Sequence, residues 1–131
     1  MLLELSHNQK IIYELLERSD KPLKAYKILF ETQKKGIKSP TQVYRALDKL
    51  IEIGKVHKIE SKNSYVACNN KNCLNQISTS FLICNICEKI VEIEDRKILE
   101  QFSRICKKFD SQYSQHSLEI FGTCISCIDS P

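Results

Sequence analysis

Apolar residues recur at helical spacing three times before residue 54, and each run has its own start and stop signals. Ser6 or Asn8 can cap the first. Its apolar face is Ile11, Ile12, Leu15 and Leu16, and it ends near Ser19-Asp20, ahead of Pro22. Leu23, Ala25, Tyr26, Ile28, Leu29 and Phe30 mark the second, which stops at Lys34-Lys35-Gly36. In the third, Ser39 is placed to cap and Pro40 takes the first helical position, where no N–H is needed. Val43, Leu47, Leu50 and Ile51 form its apolar face, and Gly54 suits the left-handed closing residue. Beyond Gly54 the texture becomes strand, polar turn, strand: Lys55 to Glu60, Ser61 to Ser64, Tyr65 to Cys68. Three helices with short connections and a hairpin behind the last predict a winged helix-turn-helix unit over residues 1–68.

The polar, Asn-rich stretch 69–76 reads as a linker, leaving 77–131 as a second, smaller domain. Ser80-Phe81-Leu82-Ile83 and Lys89-Ile90-Val91-Glu92-Ile93 predict strands. Glu94 or Asp95 opens a helix whose apolar positions are Ile98, Leu99, Phe102, Ile105, Cys106 and Phe109. Tyr113 to Phe121 is a last strand, and Gly122 turns the chain into Cys124. The expected fold class is α/β (α+β): an N-terminal winged helix followed by a small α/β domain.

Charge sharpens this division. Residues 1–75 carry 14 Lys+Arg against 8 Asp+Glu, a balance of +6, whereas 76–131 carry 6 against 8, a balance of −2. A basic front half suits contact with a polyanion. On the third helix, Thr41, Gln42, Tyr44, Arg45 and Lys49 are left for a second face, equipped to lie on a phosphate backbone and touch base edges. Lys58 and Lys62 on the wing could reach phosphates or a minor groove. No opening apolar run reaches spanning length, and Met1-Leu2-Leu3-Glu4-Leu5 is too short and lacks a cleavage site, which predicts an unexported, cytoplasmic protein with no membrane partner.

Seven cysteines in such a chain point to metal or redox chemistry more than to a disulfide framework. Cys84-x-x-Cys87 and Cys124-x-x-Cys127 are the strongest chemical signal. Two residues between cysteines let both sulfurs of a turn face one point, and two such turns supply the four thiolates of a closed structural Zn²⁺ site. The 36 residues between the pairs have room for strand, helix and strand, so the metal would tie the last strand to the first. A second constellation is His57, Cys68 and Glu92. With the wing turn at Ser61–Ser64, His57 and Cys68 lie directly opposite one another, and Glu92 follows the first Cys pair, so the three could form a mixed N/S/O site across the hinge. Cys73, in the linker, is open to three roles: free thiol, resolving cysteine or replacement ligand. His116 reads as packed or solvated rather than ligating, and Cys106 as core. There is no Ser/His/Asp arrangement, no carboxylate pair set for acid–base work, and no phosphate-cradling loop in a chain of three glycines, so neither an enzyme nor a small-molecule substrate is expected.

Several segments together resemble the ferric uptake regulator family of bacterial metal-responsive repressors, and within it the zinc uptake regulators. They are Ser39-Pro40-Thr41-Gln42-Val43-Tyr44-Arg45-Ala46-Leu47-Asp48-Lys49-Leu50, Gly54-Lys55-Val56-His57-Lys58-Ile59-Glu60-Ser61, Asn63-Ser64-Tyr65-Val66, Phe81 to Cys87, and His116 to Cys127. The resemblance implies a homodimer that, when loaded with metal, binds a palindromic DNA operator and represses metal-uptake genes. It implies structural zinc on Cys84, Cys87, Cys124 and Cys127, DNA contacts from Tyr44 and Arg45, and a second, regulatory zinc on His57, Cys68 and Glu92. The sequence departs from the pattern where the zinc sensors' fourth regulatory ligand, a His, is replaced by Ile77, and in lacking the His-rich segment of the iron sensors. Two alternatives therefore stand beside the metal-responsive repressor. One is a family member that has lost metal sensing, and the other is a thiol- or iron-based redox sensor using Cys68 or Cys73.

Overall fold

A computed structural model describes residues 4–68 and 78–129. Helix α1 (His7–Arg18) starts from a capping box in which Ser6 and Gln9 satisfy each other's backbone N–H groups, so Ser6 rather than Asn8 is the cap. Helix α2 (Ala25–Thr32) runs into a 3₁₀ turn (Gln33–Lys35) that ends at Gly36 with φ of 100°, a conformation glycine adopts without strain. Helix α3 (Pro40–Glu52) repeats the capping box with Ser39 and Gln42. Its inward face is Val43, Ala46, Leu47 and Leu50. With Ile12, Leu16, Ile28, Ile37 and Val56 they form the buried core of the three-helix unit.

Two predicted core faces are narrower than the sequence suggests. Tyr26 and Phe30 of α2 are 71% and 66% exposed, and Ile51 of α3 lies at the surface. Helix α2 is only eight residues long, so Ile28 alone of its hydrophobic side chains is buried against α3.

Strands β1 (Val56–Ile59) and β2 (Ser64–Ala67) form the antiparallel wing. The turn between them is a 3₁₀ turn (Glu60–Lys62) closed by left-handed Asn63, which pairs Ile59 with Ser64 and His57 with Val66. This register corrects the expected His57–Cys68 pairing. Cys68 lies two residues beyond the partner of His57, on the same face and diagonal to it. Leu23 adds a one-residue bridge to Tyr65, seating the wing on the α1–α2 connection.

In the second half, β3 (Thr79–Cys84) is central. It pairs antiparallel with β4 (Ile90–Glu92) and parallel with β5 (Ser117–Gly122). The parallel pairing requires a crossover, which α4 (Arg96–Lys108) supplies. The last strand begins at Ser117 rather than Tyr113. A short helix α5 (Ile125–Ile128) carries the last cysteine pair. Phe81 and Ile83, pointing to one face of β3, pack with Ile59 of the wing, and Val66 and Ile90 flank them. The wing is thus shared between two hydrophobic clusters and connects the halves of the molecule. No residue of α4 is buried within the protomer, so Cys106, expected in the core, is only half-covered. The proposed linker, with Cys73 and Ile77, lies outside the described residues.

Candidate metal centres and nucleic-acid interface

The CxxC turn after β3 is tight: Glu88, with φ of 65°, lets its N–H return to the Cys84 carbonyl. The parallel partner strand ends at Gly122, opposite Cys84, so the next residues bring Cys124 and Cys127 to the same point. All four sulfurs lie within 4.8 Å of one another. The Cys87–Cys124 separation is 3.8 Å, close to the edge of a tetrahedron with metal–sulfur bonds of about 2.3 Å. The backbone N–H groups of Ile86 and Cys124 both donate to the Cys84 sulfur at 3.4 Å. Those donors, Cys124 first, draw the Cys84 thiol down to about 6, while hydrogen bonding to Cys124 and burial push Cys127 up to about 12. The donor set fits Zn²⁺ in a closed structural site.

The second cluster lies where the wing meets the sheet. His57 is buried against Phe81, with ring centroids 5.6 Å apart, and its Nε2 is 3.0 Å from a carboxylate oxygen of Glu92. The Cys68 sulfur is 3.8 Å and 3.9 Å from the two Glu92 oxygens. One ligand atom from each residue lies within 4.8 Å of the others, so the structure brings together all three residues expected from the sequence. Imidazole, thiolate and carboxylate make a donor set that fits Zn²⁺. Among the described cysteines only Cys68 is disulfide-bonded; Cys84, Cys87, Cys106, Cys124 and Cys127 are free. A disulfide sulfur is not a thiolate, so this three-ligand site belongs to the reduced protein.

His116 is occupied. Its Nε2 is 2.9 Å from the Ser80 hydroxyl, its Nδ1 is 2.5 Å from the Tyr113 hydroxyl, and Phe102 packs edge-on. Burial lowers its pKa. It is a satisfied, packed histidine, as expected.

On α3, Thr41, Tyr44, Arg45 and Lys49 share the exposed face with Asp48 and Glu52. Among the described residues no carboxylate lies within ion-pair distance of Arg45 or Lys62. Lys49 reaches Glu52 at 3.5 Å and Lys58 reaches Glu60 at 3.6 Å, both at the surface. The Gln42 amide oxygen accepts from the N–H groups of Lys38 and Ser39 at 2.8 Å and 3.2 Å, leaving its NH₂ for any outward contact. Sequence reasoning did not single out Ser61 and Glu119, whose side chains meet across 58 residues. Glu119 stands between Leu118 and Ile120 of a strand, and a carboxylate set among apolar residues is the signal that could have been read.

A winged helix whose hairpin shares a His/Cys/Glu cluster with a small sheet, itself closed by four cysteines, defines a metal-binding winged-helix protein. The chain belongs to the ferric uptake regulator family, whose model matches residues 2–121. It is 32% identical over 120 residues to the zinc uptake regulation protein of Escherichia coli (strain K12), covering 90% of this chain and 69% of that protein. The fold is similar to that of holo XcZur, with a TM-score of 0.87, 36% identity and coverage of 99% and 90% of the two chains. It is also similar to a zinc uptake regulator complexed with zinc and DNA, with a TM-score of 0.86, 27% identity and coverage of 97% and 85%.

Proposed function

We propose that this protein is a zinc-dependent transcriptional repressor of metal-uptake genes, acting in the cytoplasm as a homodimer on a palindromic operator. It is a DNA-binding regulator of metal uptake and not an enzyme. The observation that carries the reading is the His57–Cys68–Glu92 cluster, with two ligands from the wing and one from the sheet. Zinc held there would supply the positive charge that the Cys68 thiolate and Glu92 carboxylate need to lie together, and would join the two halves. A ligand that binds one relative orientation better than another shifts the population toward it. Residues 1–68 form the reading head and 77–131 the dimerising, zinc-stabilised lobe, with the linker expected at 69–76 lying outside the described residues. Tyr44 and Arg45 contact the operator, with Thr41 and Gln42 beside them, and Lys49, Lys58 and Lys62 neutralise phosphates. The resemblance to the zinc- and DNA-bound regulator supports this assignment.

Fluorescence anisotropy on operator DNA tests it, before and after chelation mild enough to leave the four-thiolate zinc in place. The expected result is a loss of about tenfold in affinity on chelation, within the range of coupling between two binding sites, restored by zinc. Unchanged affinity would identify a family member that no longer senses metal. The disulfide-bonded state of Cys68 favours a second reading, thiol control of the same site. On that reading, protein oxidised at Cys68 holds one zinc fewer per chain and loses operator affinity at constant free zinc.

A further inference from the structure

We infer that Glu119 is a positioning residue for DNA binding. Its carboxylate holds the tip of the wing, so that the wing lysines are presented at a fixed distance from the dimerising lobe. This rests on the DNA-binding reading above.

The tip of the hairpin is the 3₁₀ turn Glu60–Lys62, closed by Asn63 with φ of 47°. The turn carries two donors of Ser61 to one acceptor. The Ser61 N–H donates to the two Glu119 oxygens at 3.3 Å and 3.4 Å, and the Ser61 hydroxyl donates to Oε1. Glu119 itself has little freedom. Strand β5 is paired with β3 along its whole length, from Thr79↔Ser117 to Cys84↔Gly122, with Glu119 opposite Phe81. Phe81 faces the wing and is buried against His57, so strand alternation puts Glu119 on the same wing-facing side.

The hairpin is therefore held at three places. At its base is the His57–Cys68–Glu92 cluster, in the middle Ile59 packs on Phe81 and Ile83, and at its tip is the Ser61–Glu119 contact. The first has donors that can take a metal and the last needs none. Lys62 directly follows Ser61. An untethered tip would spread Lys58 and Lys62 over several phosphates, and fixing it lowers the ordering cost of binding. Glu119 belongs to the lobe that pairs with the second copy, so the contact also transmits the geometry of the dimer to the separation of the two wings. Half-site spacing on a palindrome depends on that separation.

The test uses the full-length, zinc-loaded dimer. Ser61→Ala and Glu119→Ala should each weaken operator binding about 3- to 10-fold, the effect of one charge-assisted surface hydrogen bond. The double variant should bind no worse than the weaker single. Zinc per chain, dimerisation and the slope of log Kd against log salt should stay as in the wild type, whereas Lys62→Ala should flatten that slope by about 0.9. Glu119→Gln keeps an oxygen that can accept from the Ser61 hydroxyl and should recover most of the loss. In DNA-free protein, hydrogen exchange at residues 60–63 should quicken in Glu119→Ala while β1 and β2 stay protected. Wild-type affinity in both single variants, additive losses in the double, or unchanged exchange at the tip would each overturn the proposal. A wild-type protein that binds no DNA would remove the function reading and the positioning role together, and the exchange data would then report on the contact by itself.

Discussion

His116 shows how a single residue can be polar, partly buried and structural at once. Both ring nitrogens are engaged by hydroxyls, Ser80 on one side and Tyr113 on the other, and Phe102 covers the ring. Burial depresses its folded pKa below the usual value of 6.5. Unfolding then takes up a proton at any pH between the folded pKa and 6.5, because the unfolded imidazole is charged there and the folded one is not. Stability from this residue is complete above about pH 6.5 and is lost as the pH falls through that window toward the folded pKa. The measurement is the urea midpoint of wild type against His116→Gln from pH 7.5 to 5.5, since protonation of the zinc ligands is common to both proteins and cancels in the difference. Wild type should lose its advantage over the variant on acidification; a difference that does not change with pH would contradict the assignment. At the same scale, His57 illustrates what a sequence can and cannot supply. Its grouping with Cys68 and Glu92 is legible because the chain has three histidines and this one stands on the wing beside a cysteine. Its diagonal rather than direct relation to Cys68 was not legible, because the register turns on the left-handed conformation of Asn63.

Among the elements, α3 and α4 mark the two extremes of legibility. Helix α3 follows its sequence signals closely: Ser39, Pro40 and Gln42 set its start, and its apolar face is buried as the period predicts, apart from Ile51 at the surface. Local signals suffice there because capping and burial are satisfied within one small core. The period of α4 is as clear, and Asp95 caps it, yet none of its residues is buried in the protomer. Leu99 is 43% exposed, Ile105 49% and Phe109 74%. The outer face of the sheet is similar, with Val91, Leu82 and Ile120 exposed side by side across three strands. One chain's sequence cannot tell an apolar face that meets its own core from one that meets a second copy, because the period is the same. Exposed apolar residues grouped on one helix and one sheet face suit an interface, and the expectation is that the second copy of the homodimer covers them. Ile105→Glu places a charge in that surface. It should raise the dimer dissociation constant on the order of 10²-fold, the range of a central interface residue, and sedimentation velocity at micromolar concentration should show monomer. A variant that remains fully dimeric would place the interface elsewhere.

At the scale of the whole molecule, the charge division noted in the sequence coincides with a division in what holds each part together. The basic winged helix has a core of its own, from Ile12 through Val56, and among its described residues it needs no metal to close it. Among its described residues the acidic lobe has only Phe81, Ile83 and their neighbours, in a cluster it shares with Ile59 of the wing. A lobe with so little buried surface depends on other sources of stability, and a structural zinc contributes about 10–16 kcal/mol of apparent binding free energy, more than the stability of most small domains. The two metal clusters should therefore come apart in order. A weak chelator should remove one zinc per chain from the His57–Cys68–Glu92 cluster. Operator affinity should fall, while the dimer and the far-ultraviolet circular dichroism should be preserved. A strong chelator with thiol-reactive mercurial should then remove the second zinc and abolish the dimer. It should unfold the sheet of the acidic lobe while the three-helix signal persists. Zinc release measured with a colorimetric indicator alongside circular dichroism follows both steps. Their order is fixed by geometry. The first site is shared between two halves, so emptying it should unfold neither, whereas the second ties β3 to β5 at adjacent strand ends, so emptying it should loosen them. Simultaneous release of both ions, or loss of the four-cysteine zinc with the dimer intact, would refute this division of roles.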